Sequence, residues 1–226
     1  MKHVLTGAGS GIGRALAQRL ADRGDELVLL ARSDARAAEL AASFAGAQVL
    51  VADLADPGTL NGLGRQVDGP VDSLVHVAGV IELGRVDRLR LADWDEQLAV
   101  NLTAPAVLTR ELLPHLRAGR GTVVFVNSSA GLAAGAEWSA YAATKHGLRA
   151  FADALREEEA DHGVRVSSVY PGRTATPMQQ KVHEQEGRDY DASRWATAET
   201  VADTILHVID LPADATIPDL RIRPGT

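Results

Sequence analysis

Short β-rich runs alternate with longer helical patterns along almost the whole chain, and this alternation narrows the possible folds more than any other feature. Apolar runs typical of buried parallel strands predict strands at residues 4–6, 26–31, 49–53, 73–77, 122–126, 164–170 and 220–223. Helical periodicity predicts helices at residues 12–23, 35–44, 59–67, 94–116, 140–162 and 198–209. Elements in this order join through right-handed crossovers. We therefore expect an α/β fold in which helices flank a doubly wound, seven-stranded parallel sheet.

The size and composition of the chain exclude several classes of protein. Its 226 residues suffice for a single domain, 1–226, without a separate substrate domain. A formal net charge of −7 argues against a nucleic-acid partner, which needs a basic face. The absence of cysteine excludes disulfides and cysteine nucleophiles. Without a secretory signal or an apolar run of about 20 residues, we expect a cytoplasmic protein with no membrane partner.

A polar interval of mixed charge, residues 173–196, interrupts the alternation between the end of a strand and the last helix. Ligands of open α/β sheets lie outside the carboxyl ends of the strands, so this interval is placed to act as a substrate lid. A solvated surface loop is the alternative interpretation, and the two do not exclude each other.

A glycine-rich turn, Thr6-Gly7-Ala8-Gly9-Ser10-Gly11-Ile12-Gly13, joins the first predicted strand to the first helix. Glycines adopt positive φ angles and let backbone N–H groups approach a pyrophosphate at the positive end of the helix dipole. The strand–turn–helix setting favours dinucleotide binding on a Rossmann-type domain over an ordinary glycine-rich turn. The residues expected to contact the cofactor are Gly7, Ser10, Gly11, Ile12 and Gly13.

The end of the second predicted strand should meet the adenosine ribose, where an acidic residue prefers NAD and a basic residue suits a 2′-phosphate. Ala31 stands where the carboxylate would be, and Arg32 follows it directly. The Arg32 guanidinium and the Ser33 hydroxyl form a possible phosphate clamp, with Arg36 as an assistant. This pattern favours NADP(H) as the cofactor; the alternative is that Arg32 is an ordinary surface arginine.

The segment after the third predicted strand offers one more cofactor contact. Asp53 and Leu54 are placed to meet the adenine ring. A competing interpretation is that Asp53 caps the turn that precedes Pro57.

Tyr141 and Lys145 lie four residues apart in a predicted helix, so the phenol and the ammonium share one helix face. A free tyrosine titrates at about 10, and a fixed cation nearby should lower that pKa toward neutral pH. Such a pair is weak evidence by itself. Ser128 strengthens it, because it lies at a strand end where its hydroxyl can hold a substrate oxygen for protonation by Tyr141.

Together these motifs resemble those of the short-chain dehydrogenase/reductase family, in the same order and along nearly the whole chain. The turn Thr6-Gly7-x-x-x-Gly11-Ile12-Gly13 resembles the cofactor turn of the family. The separation of thirteen residues from Tyr141 matches the family at Ser128, and we assign the adjacent Ser129 to capping the loop.

The resemblance implies roles for further residues. Asn101 matches the helix-kinking asparagine that holds a water in a proton relay to Lys145, and Lys145 also binds the nicotinamide ribose. The segment from residue 171 to 176 resembles the one that fixes the nicotinamide. The contacts expected from it are Pro171, Gly172, Thr174 and Thr176.

The chain departs from the family after the fourth predicted strand. Where the family has Asn-Asn-Ala-Gly, this chain has His76-Val77-Ala78-Gly79. Ala78 and Gly79 still match and should contact the cofactor through their backbone. Hydrogen bonds that the two asparagine side chains make between neighbouring strands should be lost.

These features predict an NADP(H)-dependent oxidoreductase acting on a small-to-medium carbonyl or alcohol substrate. The catalytic residues would be Asn101, Ser128, Tyr141 and Lys145. The predicted substrate pocket consists of Val80, Ile81, Leu83, Leu132, Trp138, Met178 and Trp195. The seven histidines lack metal-ligand spacing, so no metal is expected.

Two other functions remain open alternatives. One is an NADP-binding redox sensor or regulatory module on the same fold, and the other is a mainly structural, oligomer-forming protein. The sensor hypothesis predicts an incomplete set of catalytic residues, whereas all four are present. By resemblance, the two long helices correspond to the dimer-forming pair of the family, which implies a homodimer or homotetramer.

Overall fold

The computed structural model describes residues 1–225 and contains a sheet of seven parallel strands. These strands are β1 (Lys2–Thr6), β2 (Glu26–Ala31), β3 (Gln48–Val51), β4 (Ser73–His76), β5 (Thr122–Val126), β6 (Arg165–Pro171) and β9 (Asp219–Ile222). Their order is β3-β2-β1-β4-β5-β6-β9, so the chain runs outward from β1 and then returns to place β4 beside it. The predicted doubly wound Rossmann-type fold is confirmed.

Helices cover both faces of this sheet. They are α1 (Gly11–Asp22), α2 (Asp34–Ser43), α3 (Leu91–Leu98), α4 (Ala104–Gly119), α5 (Ser139–Glu159), α6 (Pro177–Gln185) and α7 (Ala198–Ile209). Because successive strand residues face opposite sides, Val4 packs under α4 and α5 whereas Leu5 packs under α1 and α7. Both faces are therefore buried, which explains the continuous apolar runs of the strands.

The helix predicted at residues 59–67 is wrong. Two short 3₁₀ helices, Pro57–Leu60 and Leu63–Gln66, stand there instead. Gly62 separates them with a φ of 79°, which a continuing helix does not allow. Leu60 and Leu63 are both buried against the core, so the apolar pattern was real but belongs to two turns.

The helix predicted at residues 94–116 is divided. Helix α3 begins at Leu91, a π-helical turn follows at Ala99–Thr103, and α4 continues to Gly119. π-turns of this kind occur mostly inside α-helices and often at functional sites. The kink expected by resemblance at Asn101 therefore takes the form of this π-turn.

Residues 173–196, called the lid segment below, contain regular structure that the sequence pattern does not predict. Strands β7 (Thr174–Ala175) and β8 (Ala196–Thr197) pair in parallel and bracket helix α6. The segment follows β6 directly along the chain.

Among the described residues, no helix is long and apolar enough to cross a membrane.

Candidate active site

A cavity of about 750 Å³ opens at the carboxyl ends of β1, β4 and β5. This is the point where the strand order reverses, which is the usual ligand site of an open α/β sheet. Of the predicted catalytic and cofactor-binding residues, all line the cavity except Ser33 and Asn101. One end is formed by the glycine-rich turn and the end of β2, and the other by the start of α5 and the lid segment.

The glycine-rich turn is folded so tightly that neither Gly7 nor Gly13 has room for a side chain. Gly7 has a φ of 75°, and a Cβ on it would lie 2.8 Å from the Ala78 nitrogen. A Cβ on Gly13 would lie 2.1 Å from the Gly7 carbonyl oxygen. The turn thus presents bare backbone at the N-terminus of α1, and these residues fit the phosphates of a dinucleotide.

The two arginines predicted at the adenosine end both line the cavity, whereas Ser33 does not. The Ser33 hydroxyl accepts a hydrogen bond from the Arg36 backbone nitrogen at 3.4 Å and so caps the N-terminus of α2. The Arg36 guanidinium reaches across the turn, because a Cβ on Gly9 would lie 2.7 Å from its Nη2. The Arg36 guanidinium also donates to the Glu39 carboxylate. The clamp of Arg32 and Ser33 with Arg36 stays a prediction, of which only the two arginines line the cavity.

Asp53 lines the cavity and also stabilises its own turn. Its Oδ1 accepts a hydrogen bond from the Ala55 nitrogen at 3.0 Å. The 3₁₀ helix that begins at Pro57 is capped instead by Asp56. The two interpretations of Asp53 are therefore compatible, because a turn-forming carboxylate can face the cavity.

The end of β4 keeps its connections despite the two substituted asparagines. The Thr6 hydroxyl on β1 accepts hydrogen bonds from the Val77 nitrogen at 3.0 Å and the Ala78 nitrogen at 3.1 Å. His76 is buried, stacks on Phe125 with 5.0 Å between ring centroids, and hydrogen-bonds Thr109 of α4 at 2.9 Å. The expected loss of side-chain hydrogen bonds near this edge is thus offset by different partners.

His76 should make the protein sensitive to acid. Burial, with a smaller contribution from the Lys145 charge, lowers the pKa of His76 from 6.5 to about 3. Between these pH values the unfolded chain binds a proton that the folded protein does not, so stability present at pH 7 is lost as the pH falls. From pH 7 to 5 this contribution should decrease by about 2 kcal/mol, measured by urea unfolding of wild type against His76→Asn.

A matched control for this acid sensitivity is His207→Asn, which removes an exposed imidazole. Its unfolding free energy should follow that of wild type at both pH values. Burial also lowers the pKa of His3. Because His3 is present in both proteins, its contribution cancels when the unfolding free energies of wild type and His76→Asn are subtracted. A constant difference across this pH range would contradict the assignment.

Three of the four predicted catalytic residues, Ser128, Tyr141 and Lys145, converge at the other end of the cavity. Tyr141 and Lys145 are both buried on the first turns of α5, and the Lys145 Nζ lies 5.7 Å from the centroid of the Tyr141 ring. The Lys145 ammonium donates a hydrogen bond to the Val126 carbonyl oxygen at 3.1 Å. Ser128 follows β5, and its hydroxyl accepts a hydrogen bond from the Ala130 nitrogen at 3.1 Å.

The pKa of the Tyr141 phenol differs from the value expected from the sequence. Burial raises the pKa of Tyr141 to about 12, and a hydrogen bond with Ser128 opposes this shift. Burial lowers the pKa of Lys145 to about 8. The expected lowering of the phenol pKa by Lys145 is thus not found, because the ammonium lies over the ring and the cost of desolvating the phenolate dominates.

Asn101 holds the helix that carries it against the loop after β4. Its side-chain amide donates to the Val80 carbonyl oxygen and its Oδ1 accepts from the Val80 nitrogen, both at 2.9 Å. The same amide donates to the Thr144 hydroxyl at 3.2 Å. The side chain therefore positions the cavity wall beside Gly79, since a Cβ on that glycine would lie 3.3 Å from Oδ1.

Asn127 is a site residue that the sequence analysis missed. Its Oδ1 accepts a hydrogen bond from the Ser128 nitrogen at 2.9 Å, and its amide donates to the Lys145 carbonyl oxygen at 3.1 Å. It thereby joins the serine loop to the helix of the tyrosine and lysine. The signal available in the sequence was a polar residue directly between an apolar strand and Ser128.

The segment after β6 lies where the resemblance implies. Pro171, Gly172, Thr174 and Thr176 all line the cavity. The Thr176 hydroxyl caps α6 by accepting from the Gln179 nitrogen at 3.3 Å. Thr176 also approaches the glycine-rich turn, because a Cβ on Gly11 would lie 3.1 Å from its Cγ2. The lid segment is therefore packed against the turn at its first residues.

The part of the cavity beyond Tyr141 is called the substrate end. Of the predicted pocket residues, those that line the cavity are Val80, Ile81, Trp138 and Met178. Leu83 packs behind them, and Leu132 does not reach the cavity. Trp195 also lies outside it, with its ring 5.5 Å from that of His183 inside the lid segment. Gln179, Val182 and Glu96 line it and were not predicted.

Comparisons with known proteins agree with this geometry. A family model described as short chain dehydrogenase matches residues 2–187. An uncharacterised oxidoreductase of Staphylococcus epidermidis is 29% identical over 226 residues, covering 98% of this chain and 96% of that protein. The alcohol dehydrogenase of the archaeon Thermococcus sibiricus, complexed with 5-hydroxy-NADP, superposes with a TM-score of 0.83 at 25% identity, covering 99% of this chain and 96% of that one. For a short-chain dehydrogenase from Streptomyces avermitilis the values are 0.84 and 27%, covering 98% and 87%.

Proposed function

Because this chain belongs to the short-chain dehydrogenase/reductase family, we propose that it is an NADP(H)-dependent oxidoreductase that acts on a small-to-medium carbonyl compound or the corresponding alcohol. The observation that carries the proposal is the convergence of Ser128, Tyr141 and Lys145 in one cavity with the glycine-rich turn. A bound nicotinamide cofactor would supply or accept the hydride. Side chains of the protein itself would hold the substrate oxygen and donate a proton to it.

The phenol of Tyr141 is the proposed proton donor to the substrate oxygen. With a pKa of about 12 it stays protonated at neutral pH, as a general acid for carbonyl reduction must. The Ser128 hydroxyl holds the same oxygen and stabilises the charge that develops on it. Lys145, whose Nζ lies 5.7 Å from the centroid of the phenol ring, would bind the nicotinamide ribose.

The cofactor would be held along the whole cavity. The turn from Gly7 to Gly13 would bind the pyrophosphate, and Thr174 and Thr176 would lie beside the nicotinamide end. Arg32 and Arg36 would bind the 2′-phosphate, which is the basis for preferring NADP(H). The structure of the Thermococcus sibiricus enzyme with 5-hydroxy-NADP supports this choice.

The competing function is an NADP-binding sensor on the same fold. Both hypotheses predict binding of NADPH, so turnover distinguishes them. Purified protein mixed with NADPH and a panel of ketones and aldehydes should oxidise the cofactor, followed by its absorbance. A protein that binds NADPH and reduces no member of the panel would favour the sensor. Assembly into a homodimer or homotetramer stays a prediction.

Replacing Arg32 with alanine should weaken NADPH binding far more than NADH binding. One charge-assisted hydrogen bond to the 2′-phosphate is worth about 1.5–3 kcal/mol, or roughly a 10- to 150-fold loss in affinity. NADH lacks this phosphate, so its dissociation constant should change little. Fluorescence titration of both cofactors measures the ratio.

The matched control for the arginine is Arg14→Ala, which removes an exposed guanidinium of α1 that does not line the cavity. It lowers the net charge by the same amount, so it reports any general electrostatic effect. Equal losses for NADPH and NADH in Arg32→Ala would refute the assignment of Arg32 to the 2′-phosphate.

A further inference from the structure

The lid segment begins with an arginine whose guanidinium is only partly used. Arg173 lines the cavity, and its Nη2 donates to both carboxylate oxygens of Glu186, at 2.7 and 2.9 Å. The Nη1 of the same guanidinium is buried and has no hydrogen-bond partner within residues 1–225. Folded proteins seldom leave a buried donor without an acceptor, because the unmade hydrogen bond is unfavourable. This nitrogen therefore indicates an acceptor that the described part of the chain does not supply.

The neighbours of this guanidinium do not supply that acceptor. Glu186 also lies 3.9 Å from the Nη1 of Arg188, so one carboxylate is shared between two cations. The Trp195 ring packs on Arg173, with 5.5 Å between the guanidinium carbon and the ring centroid. The Nε1 of Trp195 is itself buried and without a partner among the described residues. Buried donors thus outnumber acceptors in this part of the lid segment.

Two further charges line the cavity between the catalytic residues and its rim. Lys145 is buried, and its ammonium donates to the Val126 carbonyl oxygen, which carries no formal charge to offset it. Glu96 is exposed, so water and dissolved salt screen its carboxylate. A charge shielded from water acts more strongly than a screened one. The electrostatic environment of an entering ligand is therefore set mainly by cations.

We propose that Arg173 binds a carboxylate of the substrate, so that the cavity prefers oxo acids to the corresponding uncharged esters. The inference rests on the proposed function and narrows its substrate class. The Arg173 side chain is 26% exposed, and both bonds to Glu186 leave from Nη2. A swing of the guanidinium about that nitrogen brings Nη1 to the cavity and keeps the ion pair. The substrate carboxylate then accepts a charge-assisted hydrogen bond from Nη1.

The test compares three oxo acids with their methyl esters, using NADPH: 4-oxopentanoate, 5-oxohexanoate and 4-acetylbenzoate. The three acids differ in the separation between carbonyl and carboxylate. We expect kcat/KM for the best acid to exceed that for its own ester by about 10-fold or more, the effect of one charge-assisted hydrogen bond.

The outcomes separate this inference from the proposed function. Acids reduced no better than their esters would show that water satisfies Nη1, which would overturn the inference and leave the proposed function intact. Failure to reduce any of the six compounds or any member of the carbonyl panel would instead refute the proposed function, and this inference with it.

Arg173→Gln provides the second part of the test, because it removes the guanidinium and keeps a polar side chain. Its ratio of kcat/KM for acid over ester should fall about 10-fold. Arg173→Lys keeps the charge, so its ratio should lie between those of Arg173→Gln and wild type. Taking the ratio within one variant cancels any general loosening of the lid segment. An unchanged ratio in Arg173→Gln would overturn the assignment.

Arg188→Gln is the matched control. It removes the same charge from the same segment and from the other cationic neighbour of Glu186, on an exposed side chain that does not line the cavity. Its ratio of acid to ester should equal that of wild type. An equal fall in both variants would show that net charge, and not Arg173, sets the preference, and the inference would be wrong.

Discussion

Tyr141→Phe should lower kcat for carbonyl reduction by about 10³-fold, because it removes the only atom that the proposed mechanism uses as proton donor. The ring itself should stay in place. It packs edge-on against Trp138 at 6.0 Å between centroids and lies under the Lys145 ammonium, and neither contact needs the hydroxyl. Binding of NADPH should therefore be nearly unchanged. Steady-state absorbance and fluorescence titration measure the two effects separately.

Tyr170→Phe is the matched control for this variant. Tyr170 is fully buried on β6 outside the cavity, and its hydroxyl has no hydrogen-bond partner among the described residues. Loss of this hydroxyl should leave kcat close to that of wild type. If Tyr141→Phe retained a large part of the activity, the phenol would not be the proton donor.

Gly13→Ala should abolish cofactor binding and lower the free energy of unfolding by about 3 kcal/mol, as overpacking does when backbone must move. The new Cβ would lie 2.1 Å from the Gly7 carbonyl oxygen, a backbone atom that cannot swing aside. Relief of the clash separates the first strand from the start of α1. The backbone N–H groups that face the pyrophosphate then lose their arrangement. Urea unfolding and NADPH titration measure both consequences.

The control for the glycine is Gly135→Ala, in the loop before α5. There the nearest atom to the added Cβ is Trp138 Cδ1 at 3.9 Å, an ordinary van der Waals distance. This variant should unfold and bind NADPH like wild type. Normal NADPH binding by Gly13→Ala would contradict the role given to the turn.

The layers of the fold could be predicted because they depend on local periodicity. Alternate residues such as Val4 and Leu5 go to opposite faces whatever their partners are, so buried strands and covering helices follow from the pattern. The glycine-rich turn and the pair Tyr141 and Lys145 could be predicted for the same reason, since each motif acts within a few neighbouring residues.

Contacts between distant parts of the chain could not be predicted in this way. His76 forms a hydrogen bond with Thr109, and the Asn127 amide donates one to the Lys145 carbonyl oxygen. Both bonds form only after packing brings distant elements of the chain together. The Ser33 hydroxyl accepts from the Arg36 nitrogen in the cap of α2, and only Arg32 and Arg36 of this group line the cavity.

The charged and titratable residues of the site also depend partly on local sequence and partly on contacts between distant parts of the chain. The sequence determined by itself that Tyr141 and Lys145 share a helix face, and that basic residues occur in the lid segment. The tertiary structure alone decided that Tyr141 is buried enough to raise its pKa, and that Arg173 forms an ion pair with Glu186. The physical reason is that desolvation and ion pairing depend on how many atoms surround a group in space, whereas a sequence pattern specifies only its neighbours along the chain.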